Sequence, residues 1–155
     1  MEPGLEKLLE RILLGAGIKP NELRIEITER TFAENVDSVA DILKRLRVRG
    51  FELCLDDFGT GYSSLNYLTR VPITHLKIDR SFVSRICGRD RDFSVIRSIV
   101  ELGHSLTMQV TAEGVETADQ LNRLIEAKVD FAQGHYFASP WRRTRWPCWR
   151  LARSP

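Results

Sequence analysis

Residues 53–57, LCLDD, carry an apolar run into two adjacent carboxylates, Asp56 and Asp57. Adjacent carboxylates repel each other, and neither accepts burial without a partner. Side chains alternate along a strand, so one of the two should face the wrong way. Either the pair sits in water at a turn or a cation holds it. Glu26, Glu113 and Lys77 favour the cation, because each lies in or at the end of an alternating apolar-polar segment. Glu26, Asp56, Asp57 and Glu113 form an oxygen-rich set suited to Mg2+ or Mn2+. Lys77 adds one cation beside them. Carboxylates, divalent ions and a lysine suit attack by activated water on a phosphodiester, with the ions stabilising attacking and leaving oxygens. An Asp-Asp pair alone would read as an exposed turn; four strand-end acids with a lysine read as a site.

Such a site needs strands that end together. Helix and strand signals alternate along the chain. Leu5, Leu8, Leu9, Ile12 and Leu13 predict a helix over 3–14, with Pro3 near its start and Gly15 past its end. LRIEIT (23–28) alternates as a strand, 35–49 is an amphipathic helix stopped by Gly50, and FELCLD (51–56) is the next strand. THLKID (74–79), TMQVTAE (107–113) and FAQG (131–134) read as strands, and 91–106 and 117–128 as helices. This order predicts an α/β protein with a parallel sheet. Leu23, Ile25 and Ile27 take one strand face and Arg24, Glu26 and Thr28 the other; 74–79 and 107–113 divide likewise. An antiparallel sheet with one wet face would give the same alternation. The intervening helices tip the reading to a barrel arc, with helices on one face and a barrel interior on the other. Barrel chemistry sits at the C-terminal mouth of the strands, where these charged groups fall.

Composition narrows the classes. A chain of 155 residues is about one domain long. The three cysteines, Cys54, Cys87 and Cys148, lack CxxC spacing, which argues against a disulfide framework or zinc site and for a reducing, cytoplasmic setting. No apolar run approaches the ~18 residues of a transmembrane segment. GTGYSS lacks the lysine of a phosphate-binding loop and the third glycine of a dinucleotide fingerprint. His75, His104 and His135 show no ligand spacing and read as surface or satisfied histidines. The net charge of +2 hides an asymmetry: residues 141–155, WRRTRWPCWRLARSP, hold five arginines and no acid, leaving 18 bases against 21 acids before them.

The segments IEITE (25–29), LDDFGTGYSSLNYL (55–68), LKIDRSFV (76–83), TAEGVET (111–117) and QGHYFASP (133–140) resemble, in order and spacing, the signatures of the EAL-type cyclic di-GMP phosphodiesterases. The resemblance covers nearly all of residues 1–140. It implies a (β/α)8 barrel that hydrolyses cyclic di-GMP to the linear dinucleotide with Mg2+ or Mn2+. It implies Glu26, Asp56 and Asp57 as metal ligands, and Glu113 completing the second ion's surroundings directly or through water. Lys77 matches the lysine that orients the attacking water, and Glu116 and Gln133 match supporting residues at the mouth. Glu29 matches the glutamate that braces the loop after the paired aspartates and couples the metal site to dimerisation.

The departures are as definite. The Glu-Ala-Leu motif that names the family is absent, and EAK at 126–128 lies in a predicted helix. The family's metal-binding asparagine has no counterpart either. A full barrel takes ~250 residues, so residues 1–140 are expected to form a truncated EAL domain, the C-terminal strands of a partial (β/α)8 barrel. The 141–155 tail is read as a disordered end or out-of-frame coding, against an anionic-membrane or nucleic-acid patch; no other feature supports nucleic-acid binding. Two function classes follow. One is the C-terminal part of a cyclic di-GMP phosphodiesterase, inactive as this isolated chain. The other is a non-enzymatic remnant that binds nucleotide or dimerises, as a homodimer or with another EAL domain. Open sheet edges predict association.

Overall fold

The computed structural model describes residues 4–34, 36–59, 68–137 and 149–151. Helix α1 (Leu5–Ala16) ends at Gly17, whose φ of 67° is the left-handed conformation that glycine adopts without strain. A short 3-10 turn (Pro20–Glu22) leads into β1 (Arg24–Thr28). Then come α2 (Glu29–Glu34), α3 (Val36–Val48), β2 (Glu52–Phe58), β3 (His75–Ile78), α4 (Arg80–Val83) and α5 (Asp90–Ser105). β4 (Gln109–Glu113), α6 (Ala118–Glu126), β5 (Phe131–Gln133) and β6 (Trp149–Arg150) complete the described elements. The five expected strands and the four expected helices all form. Two short helices, α2 and α4, were not anticipated.

The strands lie in the order β1-β2-β3-β4-β5-β6, with the first five parallel. Each parallel strand is laid beside its predecessor, the winding of a barrel wall. One face is apolar: Leu53, Leu55, Leu76, Ile78, Val110, Ala112 and Ala132 are 0–2% exposed. They join Leu43 and Leu46 of α3, Ile96 and Val100 of α5 and Leu124 of α6 in one core. The opposite face carries Arg24, Glu26, Cys54, Asp56, His75, Lys77, Thr111, Glu113 and Gln133. Paired positions keep this parity from strand to strand, Glu26 beside Cys54, Lys77 beside Thr111 and Glu113 beside Gln133. The core therefore lies between sheet and helices, and the polar residues share the face a barrel turns inward.

The tail returns to this sheet. Trp149–Arg150 pairs antiparallel with β5, the Leu151 N–H donates to the Asp130 carbonyl at 2.8 Å, and Leu151 is 8% exposed. These three residues therefore lie along β5, within the segment read from sequence as a disordered end or out-of-frame coding. The rest of 141–155 lies outside the described residues, as does most of the loop after Asp57.

Candidate active site

The opening difficulty of two adjacent acids is resolved by a β-bulge. Strand β2 does not stop at Asp56 as expected but runs on to Phe58. Leu55 pairs with Leu76 and Phe58 with Ile78, so β2 spends one residue more than β3 over the same span. Asp57 is in the left-handed region, φ 57°, and its N–H donates to Asp56 Oδ1 at 2.9 Å. Asp56 keeps its place on the polar face, opposite Thr28, and Phe58 returns to the core at 5% exposure. Neither acid is driven into the apolar layer.

Four strands then bring their ends to one point. Lys77 Nζ of β3 lies 3.1 Å from Glu26 Oε2 of β1 and 3.3 Å from the Asp56 carboxylate of β2, and it donates to Glu113 Oε1 of β4. The Gln133 amide of β5 donates to the same Glu113 oxygen. Lys77 is 6% exposed. Burial alone would favour its neutral form, but Glu113, Glu26 and Asp56 outweigh that and hold its pKa above the ordinary lysine range. Burial pushes the Glu113 carboxyl up, and Asp56 and Glu26 add to this against the pull of Lys77. The Asp57 carboxyl is raised too, by burial and then by Asp56 and Asp79. One ammonium is shared among more negative charge than it neutralises.

That surplus is the test of fit for a divalent ion. The donors are carboxylate oxygens, the type Mg2+ and Mn2+ prefer, and their charge exceeds that of Lys77. Among the described residues no three Asp, Glu, His or Cys side chains are already gathered as a metal-binding group. The carboxylates converge on the lysine instead.

Glu29, 3% exposed at the start of α2, accepts the Gly59 N–H at 2.8 Å and so ties α2 to the chain just past the paired aspartates. Gly59 has φ 96°, and a Cβ there would lie 2.9 Å from the Phe82 ring. Glu116 is exposed ahead of α6, outside the carboxylate cluster; its N–H is bound by Gln120 Oε1 at 2.8 Å. Sequence reasoning passed over Cys54 and Thr111, which are buried on the polar face beside His75 and Lys77 respectively; their parity within the alternating segments was the available signal. Burial, and then Glu26, push the Cys54 thiol up to about 12, so it is no nucleophile.

At the opposite end of the strands a second polar group has a structural role. Arg47 Nη1 is 3.2 Å from Glu52 Oε1, and His75 Nδ1 is 3.5 Å from Glu52 Oε2 and 2.9 Å from Thr74 Oγ1. Burial and the nearby Arg24 lower the His75 pKa, which keeps the ring neutral at pH 7. His104 Nε2 meets the buried Asp130 Oδ2 at 2.8 Å. Both histidines are satisfied, as expected.

The EAL domain family matches residues 1–140. The chain belongs to that family. It is 43% identical over 125 residues to the cyclic di-GMP phosphodiesterase NbdA of Pseudomonas aeruginosa, a match covering 81% of this chain and 16% of that protein. It is 38% identical over 137 residues to the bifunctional diguanylate cyclase/cyclic di-GMP phosphodiesterase MucR of the same species, covering 88% of this chain and 20% of that protein. Among solved structures, the PaMucR phosphodiesterase in complex with c-di-GMP superposes with a TM-score of 0.84 at 37% identity, over 90% of this chain and 56% of that one. A manganese/cy-diGMP complex of Klebsiella pneumoniae BlrP1 gives 0.82 at 35% identity, over 87% and 34%. The chain thus spans under a fifth of NbdA and about half of the PaMucR phosphodiesterase chain.

Proposed function

We propose that residues 1–140 supply one side of a cyclic di-GMP phosphodiesterase site, and that these 155 residues on their own do not hydrolyse the dinucleotide. The observation that carries the reading is the convergence of Glu26, Asp56 and Glu113 on Lys77 at the C-terminal ends of adjacent parallel strands. Mg2+ or Mn2+ would be held by Glu26, Asp56 and Asp57, with Glu113 nearby, and would supply Lewis acidity and a water of lowered pKa.

The roles of the chain's own groups follow from their electrostatics. Lys77 is locked as an ammonium, so it cannot act as a base; it donates hydrogen bonds and orients a water or a phosphate oxygen. Glu113, with its raised pKa, is the carboxylate best placed to accept a proton from that water, and Gln133 fixes its orientation. Glu29 holds the Gly59 turn and so sets where the loop after Asp57 begins. Glu116 supports the mouth from the α6 end.

The absence of the Glu-Ala-Leu glutamate and the strand asparagine argues for inactivity, because ions that activate water must be placed to within about half an ångström. The deciding assay is conversion of cyclic di-GMP to the linear dinucleotide at saturating Mn2+, beside Asp56→Asn. No turnover by either chain is the expected result; turnover by the wild type that the substitution abolishes would overturn it. No described helix is long and apolar enough to cross a membrane, and the reading places the chain in the cytoplasm.

A further inference from the structure

We infer that the short helix α4 is a spacer that positions the site. Phe82 holds the end of β2, and with it Asp56 and Asp57; Arg80 holds the end of β4, and with it Glu113. Each is thereby kept at a fixed reach from Lys77. The inference deepens the reading proposed above and rests on it for the identity of the site.

Connectivity is the first observation. β3 lies between β2 and β4, and its last residue, Ile78, is set beside Phe58 of β2 and Ala112 of β4. Only Ile78 and Asp79 separate Lys77 from α4. Asp79 caps the helix, accepting the Ser81 N–H at 2.9 Å, and Val83, 0% exposed, sinks its far end into the core. Both ends of α4 are therefore tied to the strand that carries Lys77.

Helix geometry then sends two side chains opposite ways. Residues two apart lie about 200° round a helix from each other. Phe82 points to the end of β2: a Cβ at Gly59 would lie 2.9 Å from two atoms of its ring. Arg80 points to the end of β4: a Cβ at Gly114 would lie 2.6 Å from the Arg80 Cβ and 3.4 Å from its Cα. Carbon atoms in ordinary contact stay about 3.5–4.0 Å apart. The backbone at both glycines thus rests directly on α4.

The two glycines sit where such contact matters. Gly59 comes two residues after Asp57, and Gly114 directly follows Glu113. Their φ values of 96° and 75° turn the chain away from each strand at the point of contact. Gly59 is gripped from its other side as well, by the Glu29 carboxylate that accepts its N–H at 2.8 Å. Carboxylates that share an ion must be held to within about half an ångström. Phe82 and Arg80 act on them through the backbone, as positioning residues.

The test uses the full chain. Phe82→Leu removes the far ring atoms that face Gly59 and keeps an apolar side chain. In that background the shift of the urea midpoint caused by Gly59→Ala should shrink about twofold or more, because the clash is gone and only backbone strain is left. Equal shifts in both backgrounds would overturn the proposal. Amide NMR spectra separate the two arms of the helix. Phe82→Leu should move the Asp57 and Gly59 amides, and Arg80→Gly those of Glu113 and Gly114. Arg80→Ala, which keeps the Cβ, should move the second pair far less than Arg80→Gly does. Both pairs moving alike with either substitution would mean general loosening and would also overturn it. In calorimetry Phe82→Leu should weaken Mn2+ binding about tenfold; unchanged affinity would remove the positioning role of Phe82. A wild type that binds no Mn2+ would count against the metal-site reading, and the midpoint coupling and amide patterns would still decide the role of α4. Circular dichroism verifies that each variant is folded, with Phe82→Met used if Phe82→Leu is not.

Discussion

Lys77 is where most of the site's energetics meet. Replacing it with Met leaves Glu26, Asp56 and Glu113 facing one another without their shared cation, and should cost about 3 kcal/mol at pH 7 by chemical denaturation. The pH dependence has a definite sign. The folded-state pKa values of Asp57 and Glu113 lie above their ordinary 3.8 and 4.5, so the stability they contribute is full in acid and is lost as pH rises through the raised values. Lys77 is also raised, so its contribution persists across neutral pH and is lost only at alkaline pH. Asp57→Asn should therefore raise Tm at pH 7 and cease to do so at acid pH; an equal gain at both would show that Asp57 carries no charge penalty. A divalent ion should remove the same penalty. Mn2+ should raise the Tm of the wild type, by about 2.7 kcal/mol of stability at a hundredfold excess over Kd, and leave Asp56→Asn unmoved.

At the scale of elements, the devices that aim these groups are local and separable. The bulge in β2 is followed by Gly59 at φ 96°, against the Phe82 ring. Gly59→Ala adds both a left-handed strain and a contact at 2.9 Å, and should cost about 2 kcal/mol or more in urea denaturation. It should also disturb the Gly59–Glu29 bond, which ties α2 to the site. The start of α6 is held by a reciprocal cap: Gln120 N–H donates to the Thr117 hydroxyl at 3.2 Å, and Gln120 Oε1 accepts the Thr117 N–H at 3.1 Å. Thr117→Ala should cost about 1 kcal/mol, with the carboxylate cluster unaffected.

For the molecule as a whole, stability is shared with the returning tail. β6 covers the outer side of β5, and Leu151 is buried beside Asp130, whose carboxylate also accepts the Val110 N–H at 2.9 Å. Deleting 141–155 exposes this edge and removes a buried leucine, so a loss of about 2 kcal/mol is expected from thermal or urea unfolding. An unchanged midpoint would mean that the 149–151 pairing contributes nothing to stability.

Much of this was legible in the residues themselves. Period-two alternation in 23–28, 74–79 and 107–113 sorts side chains onto two faces, and parity alone places Glu26, Lys77 and Glu113 together once the strands are parallel. Local chemistry marks some helix ends: Gly50 follows α3 as read, whereas α1 runs through Gly15 to Ala16 and stops at Gly17. What it could not supply was decided by pairing. The bulge that lets Asp56 and Asp57 coexist depends on the register between β2 and β3, which no property of LCLDDF encodes by itself. The choice of Lys77 Nζ as the point where three carboxylates meet arises from strands brought together across 51 residues of chain. The strand at 149–150 could not be read from an Arg/Trp-rich tail, since its conformation comes from hydrogen bonds offered by β5 rather than from its own pattern. Sequence settles which faces exist; only tertiary contact settles which groups share them, because hydrogen-bond register and charge convergence are properties of neighbours in space.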